Sequence, residues 1–171
     1  MSDGISIHLD TQQAAAVARA FGEAPEIVIE ELAAAAWKSE LLLERETKEN
    51  TPVGIGGGAG LKGSISAREP EVLADGVIGM VGTPLVHAVP VELGTKPHFP
   101  PIQPLADWAR LKLGVRPEEA RSVGYLIARK IAARGTEGAF MFTRALDSCR
   151  AQIEGYFAAA AGRILARVAG S

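Results

Sequence analysis

The chain has 171 residues, of which 47% are hydrophobic and 5% are aromatic, with 18 Lys and Arg against 20 Asp and Glu. This length fits a single domain over residues 1–171 that buries a substantial core. The balanced charge excludes a general DNA-binding protein, and the few aromatic side chains do not favour nucleic-acid recognition by base stacking. The one cysteine, Cys149, excludes an internal disulfide and is predicted to be a small buried hydrophobic residue.

Charge is distributed unevenly along the chain. Residues 1–85 carry 6 basic and 13 acidic side chains, a net charge of −7, whereas residues 86–171 carry 12 and 7, a net charge of +5. Segments of opposite sign favour head-to-tail contact between copies; the alternative is that the segments interleave in the fold without consequence. The N-terminus has no signal pattern and no apolar run reaches the ~18 residues of a membrane helix, so we expect a cytosolic protein without a membrane partner.

The N-terminal part of the chain predicts a short strand followed by two helices. Residues 5–9 alternate apolar and polar side chains, which is typical of a half-buried strand. A brief helix over residues 12–21 precedes a long helix that runs from Pro25 to about Lys48. The charged residues of the long helix, Glu40 among them, should lie mostly away from its packing face. That face comprises Ile29, Leu32, Ala33, Ala36, Trp37, Leu41 and Leu42.

The middle of the chain predicts a flexible loop followed by a hairpin. The loop from Gly54 to Gly60 contains five glycines, so ordering it costs much backbone entropy and we expect it to be mobile in the free protein. Residues 62–73 and 76–83 are predicted strands, joined by the turn residues Asp75-Gly76. Pro70 confines the first strand to an edge or splits it at a bulge, because proline has no N–H to donate.

The second half of the chain predicts mainly helices. They cover about residues 85–93, 105–113, 117–134 and 142–168, with a turn at residues 135–138. Leu105, Trp108 and Leu111 should form the buried stripe of the second of these helices. The last helix should pack through a seam spaced by threes and fours: Phe142, Leu146, Cys149, Ile153, Tyr156, Ala160, Ile164 and Val168. The predicted fold class is α+β, with a small, mostly antiparallel sheet packed against the long N-terminal helix and the C-terminal helices.

A rigid arm is predicted over residues 95–104. Gly94 can adopt a left-handed backbone conformation that ends the preceding helical turn, and the three prolines among residues 97–101 hold the next stretch extended. Phe99 is then either presented outward or clamped beneath the arm. Glu92 precedes the glycine and could accept N–H groups of the arm or pair with a basic residue of another copy; alternatively it is a solvated surface glutamate.

Catalytic, cofactor and metal sites are not predicted. A phosphate-binding loop needs its lysine directly after the last glycine and a hydroxyl residue directly after the lysine. Here Leu61 precedes Lys62, and a glycine separates Lys62 from Ser64. The three histidines lie in different predicted elements, without a second ligand at helical spacing, and no histidine and carboxylate are placed beside a serine.

Three segments carry a resemblance to a known family. Pro52-Val53 is followed by Leu-Lys-Gly-Ser-Ile at residues 61–65 and by Val-Glu-Leu-Gly-Thr at residues 91–95, with the proline-aromatic arm directly after them. In this order and spacing, from about residue 26 to 146, the chain resembles the tail-completion and neck proteins (minor tail components) of long-tailed bacteriophages. It departs from their pattern at His87-Ala88, where tyrosine-alanine is usual, and in its longer glycine loop.

The resemblance implies a structural virion protein of the phage neck or upper tail, acting in tail completion, tail termination or head–tail joining. It would lie in the host bacterial cytoplasm during assembly and then in the virion. Its partners would be further copies of itself in a ring, a hexamer being one arrangement, and neighbouring neck, connector or tail-tube proteins, while DNA would pass nearby unread. The candidate assembly contacts are Leu61, Lys62, Ser64, Glu92, Gly94, Thr95, Phe99 and Pro101.

Two alternatives come from other classes of protein. One is a small enzyme that uses the loop from Gly54 to Gly60 to bind a phosphate ligand. The other is a helical module for protein–protein interaction. The absence of a recognisable catalytic grouping makes a non-enzymatic role the prediction.

Overall fold

The computed structural model of the chain describes residues 11–54, 60–73 and 76–169. The predicted first strand at residues 5–9, most of the glycine loop and Asp75 lie outside these ranges. The chain divides into two compact units. The first unit comprises residues 1–45, 67–82 and 146–171, and the second comprises residues 46–66 and 83–145.

Helices dominate both units, and the strands are few and short, which confirms the α+β prediction. The helices are α1 (Thr11–Glu23), α2 (Pro25–Asn50), α3 (Leu61–Ser64), α4 (Ala88–Leu93), α5 (Ile102–Leu113), α6 (Pro117–Arg134) and α7 (Met141–Ala169). The strands are β1 (Ser66–Leu73), β2 (Gly76–Gly82), β3 (Gly94–Thr95) and β4 (Thr136–Glu137), paired as β1 with β2 and β3 with β4. The helix boundaries at Pro25, Gly114 and Pro117 agree with the sequence, because proline and glycine act locally.

The core of the first unit is formed by α1, α2 and α7. One cluster of buried side chains comprises Val17, Ala20, Val28, Ala161 and Ile164, and a second comprises Leu42, Cys149 and Ile153. From Leu146 onward the predicted seam of the last helix is therefore the face that packs in this unit, whereas Phe142 belongs to the second unit. Cys149 is buried and free, as expected of a small hydrophobic residue.

The packing face predicted for the long helix is wrong in part. Trp37 and Leu41 are 40% and 45% exposed, whereas Ser39 and Glu40 are buried. Ser39 tolerates burial because its hydroxyl donates to the carbonyl oxygen of Ala35 at 2.8 Å. Glu40 is buried beneath strand β2, where its carboxylate accepts a backbone N–H group of that strand.

Two glutamates of α2 hold the hairpin formed by β1 and β2. Glu44 Oε2 accepts the N–H of Ala67 in β1 at 2.7 Å, and Glu40 Oε1 accepts the N–H of Met80 in β2 at 2.6 Å. Because the two glutamates are four residues apart, both carboxylates lie on one side of the helix. A Cβ at position 79 would collide with the Glu40 carboxylate, so Gly79 permits this close approach.

The start of the predicted first hairpin strand is also corrected. Residues 61–64 form the helical turn α3, and β1 begins only at Ser66. The Ser64 hydroxyl donates to the carbonyl oxygen of Leu61 at 2.8 Å, which is a local bond that competes with strand pairing. Both strands of a two-stranded sheet are edges, so the prediction that Pro70 lies on an edge strand is confirmed.

Small residues join α5 and α6 in the second unit. The buried side of this pair comprises Ala106, Ala109, Ala120, Gly124 and Ala128. A Cβ on Gly124 would approach the backbone N of Ala106 to 2.8 Å, so the two helices are too close for larger side chains. The predicted buried stripe is therefore wrong for Trp108 and Leu111, which are exposed.

Burial of the Glu40 carboxyl raises its pKa above the usual value, and the bond from the Met80 N–H acts in the opposite direction. The side chain is 3% exposed, and Oε2 has no hydrogen-bond partner among the described residues. A raised pKa means that the folded chain binds this proton more tightly than the unfolded chain. The resulting stabilisation is fully present below the ordinary pKa of 4.5 and is lost as the pH rises through the pKa of the folded state.

The change Glu40→Gln should therefore raise the free energy of unfolding relative to the wild type, by more at neutral pH than at pH 4.5. Glutamine keeps an acceptor for the Met80 N–H but carries no charge, and each unit of pKa elevation corresponds to about 1.4 kcal/mol. Denaturant unfolding of both proteins across this pH range measures the difference. Glu40→Ala, which removes the acceptor, should be less stable than Glu40→Gln throughout. A difference between wild type and Glu40→Gln that does not change with pH would contradict the role of burial.

Candidate functional site

The eight residues predicted to make assembly contacts all lie in the second unit. Five of them belong to one continuous structure, which consists of α4, the short sheet of β3 and β4, and the arm that leads into α5. The other three lie in α3. The structure therefore collects most of the candidates at the arm and places the rest at the start of the hairpin strand.

The arm begins at a short sheet that the sequence analysis missed. Gly94 opposes Glu137 and Thr95 opposes Thr136 in the antiparallel pair of β3 and β4. The hydroxyls of Thr95 and Thr136 lie 2.9 Å apart, and the Thr136 N–H donates to the Thr95 hydroxyl at 3.2 Å. Two-residue strands carry no detectable alternation, so only the glycines around them could have signalled this pairing.

Gly94 has a φ of 77°, as the predicted left-handed conformation requires, but its ψ of −176° lies outside the left-handed helical region, so the prediction is correct in φ and wrong in ψ. A Cβ at this position would collide with the carbonyl oxygen of Thr136 in the opposite strand. Glycine is therefore required twice, by the backbone conformation and by the close approach of β4. This position fixes the direction in which the chain leaves α4.

Glu92 binds the start of α7. Its carboxylate accepts the N–H of Phe142 at 3.0 Å, the N–H of Thr143 at 3.1 Å and the Thr143 hydroxyl at 2.9 Å. The first N–H groups of a helix have no partner inside the helix, and a negative charge there also interacts favourably with the helix dipole. The expectation that Glu92 accepts backbone N–H groups was correct in kind, but the donors belong to α7 and not to the arm.

The main chain adds two further bonds at the same junction. The Ala139 N–H donates to the Val91 carbonyl oxygen at 2.8 Å, and the Phe140 N–H donates to the Glu92 carbonyl oxygen at 3.1 Å. Together with the β3–β4 pair, these bonds anchor the end of α4 and the start of the arm. The position at which the arm begins is therefore fixed by hydrogen bonds.

Phe99 lies half-exposed on the arm. Its side chain is 53% exposed, and its ring leans against Tyr125 of α6 with 6.2 Å between centroids and planes tilted by 57°. The ring of His98 is held by its Nδ1, which lies 3.0 Å from the Lys96 carbonyl oxygen. The predicted end of the arm at residue 104 is wrong, because α5 begins at Ile102 and the arm therefore ends at Pro101. Phe99 is thus supported on one face and open on the other.

Leu61 and Ser64 of α3 serve packing within the second unit. Leu61 is buried, and the Ser64 hydroxyl lies 2.7 Å from the hydroxyl of Thr83. Lys62 between them is partly exposed. A role for these three residues in contacts between copies stays a prediction.

An apolar face on and before α4 was missed by the sequence analysis. Val86, Val89 and Leu93 are 88%, 61% and 66% exposed. With Phe142 and neighbouring residues they line a groove of about 530 Å³. Their spacing of three and four residues is the signal that could have revealed a single exposed face.

Replacing Glu92 tests its anchoring role. Glu92→Ala should lower the free energy of unfolding by about 1–2 kcal/mol, because the N–H groups at the start of α7 lose their acceptor. Glu92→Gln keeps one acceptor oxygen and should lose less. Denaturant unfolding measures both changes, and equal stability of Glu92→Ala and wild type would show that water satisfies these groups equally well.

Gly94→Ala should lower the free energy of unfolding by about 1–3 kcal/mol, because alanine is strained at this φ and collides with β4. Gly155 in α7 provides a matched control, since a Cβ there meets nothing within 4 Å. Gly155→Ala should stabilise the chain by about 0.5–1 kcal/mol. Thermal unfolding compares the two variants. A Gly94→Ala variant as stable as the wild type would show that glycine is not required at this position.

Within the ranges 11–54, 60–73 and 76–169, no three His, Cys, Asp or Glu side chains are grouped so that they could hold a metal ion. None of the helices in these ranges is long and apolar enough to cross a membrane. Comparison of the chain with protein families, curated proteins and solved structures finds no match.

Proposed function

We propose that this chain is a structural virion protein of the neck or upper tail of a long-tailed bacteriophage, where it assembles into a homo-oligomeric ring. The carrying observation is Phe99, an aromatic side chain held half-exposed on an arm with an anchored base. This arm directly follows the segment Val-Glu-Leu-Gly-Thr, on which the resemblance to tail-completion and neck proteins rests most heavily.

A supported aromatic side chain is well suited to a protein interface. Aromatic anchors that fill a pocket on a partner contribute a large share of binding energy. A side chain that is already positioned loses little conformational freedom on binding. Tyr125 and the prolines on either side of Phe99 provide this positioning.

The apolar face of α4 supports the same role. Large exposed apolar patches on soluble proteins mark surfaces that bind other proteins. Val86, Val89 and Leu93 form such a patch beside the arm's anchor. Further copies of the chain, and neighbouring neck, connector or tail-tube proteins, are the partners that we propose for these surfaces.

Phe99→Ala should fold normally and fail to assemble. Loss of an anchor costs about 2 kcal/mol or more of association free energy, which corresponds to roughly thirtyfold weaker binding. Electron microscopy of the purified protein should show rings for the wild type and none for the variant. Phage particles assembled with the variant should lack joined heads and tails.

Leu111→Ala is the matched control for this experiment. Leu111 is 61% exposed, a similar fraction to Phe99, but it lies near the C-terminal end of α5 and not on the arm. This variant should form rings and particles as the wild type does. Normal particle assembly with Phe99→Ala would contradict the role of Phe99 as an interface anchor. A wild-type chain that forms no ring would contradict the proposed function.

A further inference from the structure

The first unit contains a cavity of about 340 Å³ between α2, β2 and α7, which we name the Glu40 cavity. Most of its wall is apolar and is formed by Ala36, Leu43, Val77, Val81, Ile153 and Phe157. Ile78 and Met80 also line it and are 47% and 49% exposed, so the cavity reaches the surface. An engineered apolar cavity of about 150 Å³ binds benzene, so the Glu40 cavity has room for a single ring with a short substituent.

The wall of this cavity contains one carboxylate, that of Glu40. The residue is 3% exposed, and its Oε1 accepts the N–H of Met80 at 2.6 Å. Its Oε2 is buried and has no hydrogen-bond partner among the described residues. Because an unpaired buried acceptor has lost water without gaining a donor, a ligand that donates a hydrogen bond to Glu40 would recover part of this free energy.

The charge of Glu40 is not balanced by a cation in the described part of the chain. The described residues that line the cavity include no Lys, Arg or His. Burial raises the pKa of the Glu40 carboxyl, and the hydrogen bond from the Met80 N–H, not a positive charge, opposes this shift. Folding therefore places an uncompensated acid in an apolar wall, which is the arrangement that a cationic ligand stabilises most.

Other occupants fit the cavity less well. A buried water molecule makes about three hydrogen bonds, which mostly apolar walls do not offer. The hydroxyl of Ser39, the other hydrogen-bonding side chain among the described lining residues, already donates to the carbonyl oxygen of Ala35. An anion would be repelled by the carboxylate, and a purely apolar molecule would leave Oε2 without a donor. A metal ion needs several ligands, and the cavity offers a single carboxylate.

We propose that the Glu40 cavity binds a small molecule that carries one ammonium group on an apolar body, and that Glu40 recognises the ammonium group. The apolar body fills the space between α2, β2 and α7, and the ammonium group donates a charge-assisted hydrogen bond to the carboxylate. Folding has already removed water from this acceptor, so binding does not have to desolvate it. The site goes beyond the proposed function, because its lining residues belong to the first unit and the candidate assembly contacts belong to the second.

Three probe molecules separate the two parts of this recognition. Benzylamine has both an ammonium group and an apolar ring, benzyl alcohol has the ring with an uncharged donor, and methylamine has the charge without the ring. Titration calorimetry on the full chain at pH 7 measures their affinities. Benzylamine should bind about tenfold or more tightly than each of the other two, because only benzylamine uses both the carboxylate and the apolar walls.

Two variants and one spectroscopic signal locate the binding. Glu40→Gln keeps the size of the side chain and removes its charge, so it should bind benzylamine and benzyl alcohol about equally well. Glu154→Gln is the matched control, since it removes an exposed carboxylate of the same unit, and it should keep the preference of the wild type. In nuclear magnetic resonance spectra, benzylamine should shift the amide signal of Met80, which is bonded to Glu40, and leave that of Gly114 in the second unit unchanged.

The possible results divide clearly. Tighter binding of benzylamine to the wild type and to Glu154→Gln, its loss in Glu40→Gln and a shifted Met80 signal together support the site. An unchanged preference for benzylamine in Glu40→Gln would overturn the role of Glu40, and equal affinities for benzylamine and methylamine would overturn the role of the apolar walls. A wild-type chain that binds none of the three probes would overturn the site altogether.

Discussion

The carboxylate of Glu92 joins the end of α4 to the first turn of α7, and the position of the arm depends on this junction. Without an acceptor, the N–H groups at the start of a helix have only water to bind. Gly94 then turns the chain sharply, because its φ of 77° is open to glycine and strained for other residues. A charged acceptor and a glycine together determine where Phe99 is presented.

Small residues at the packing faces determine which side chains of this chain are exposed. Alanine and glycine form the buried side of α5 and α6, so these two helices approach each other closely. Large side chains such as Trp108 and Leu126 then lie on the outside of this pair. Exposed apolar groups of this size favour association with other proteins.

Glutamates position the backbone in both units. In the first unit Glu40 and Glu44 accept N–H groups of β2 and β1, and in the second Glu92 accepts N–H groups of α7. Each bond replaces water around a charged group with a fixed donor, so the geometry is more specific than apolar contact alone. The desolvation cost of burying a carboxylate is largest at Glu40, where burial raises the pKa and one oxygen has no hydrogen-bond partner among the described residues.

The sequence by itself determined the four long helices from Pro25 onward, the glycine at the end of α4 and the existence of the hairpin, although not the helical turn α3 before it. These features depend on proline, glycine and local periodicity, whose effects act within a few residues. Only the tertiary structure decided that Glu40 is buried while Trp37 is exposed, that β3 pairs with β4, and that Glu92 binds α7. Burial and pairing depend on residues that are 40 to 51 positions apart in sequence, and local sequence patterns do not show which distant residues will meet.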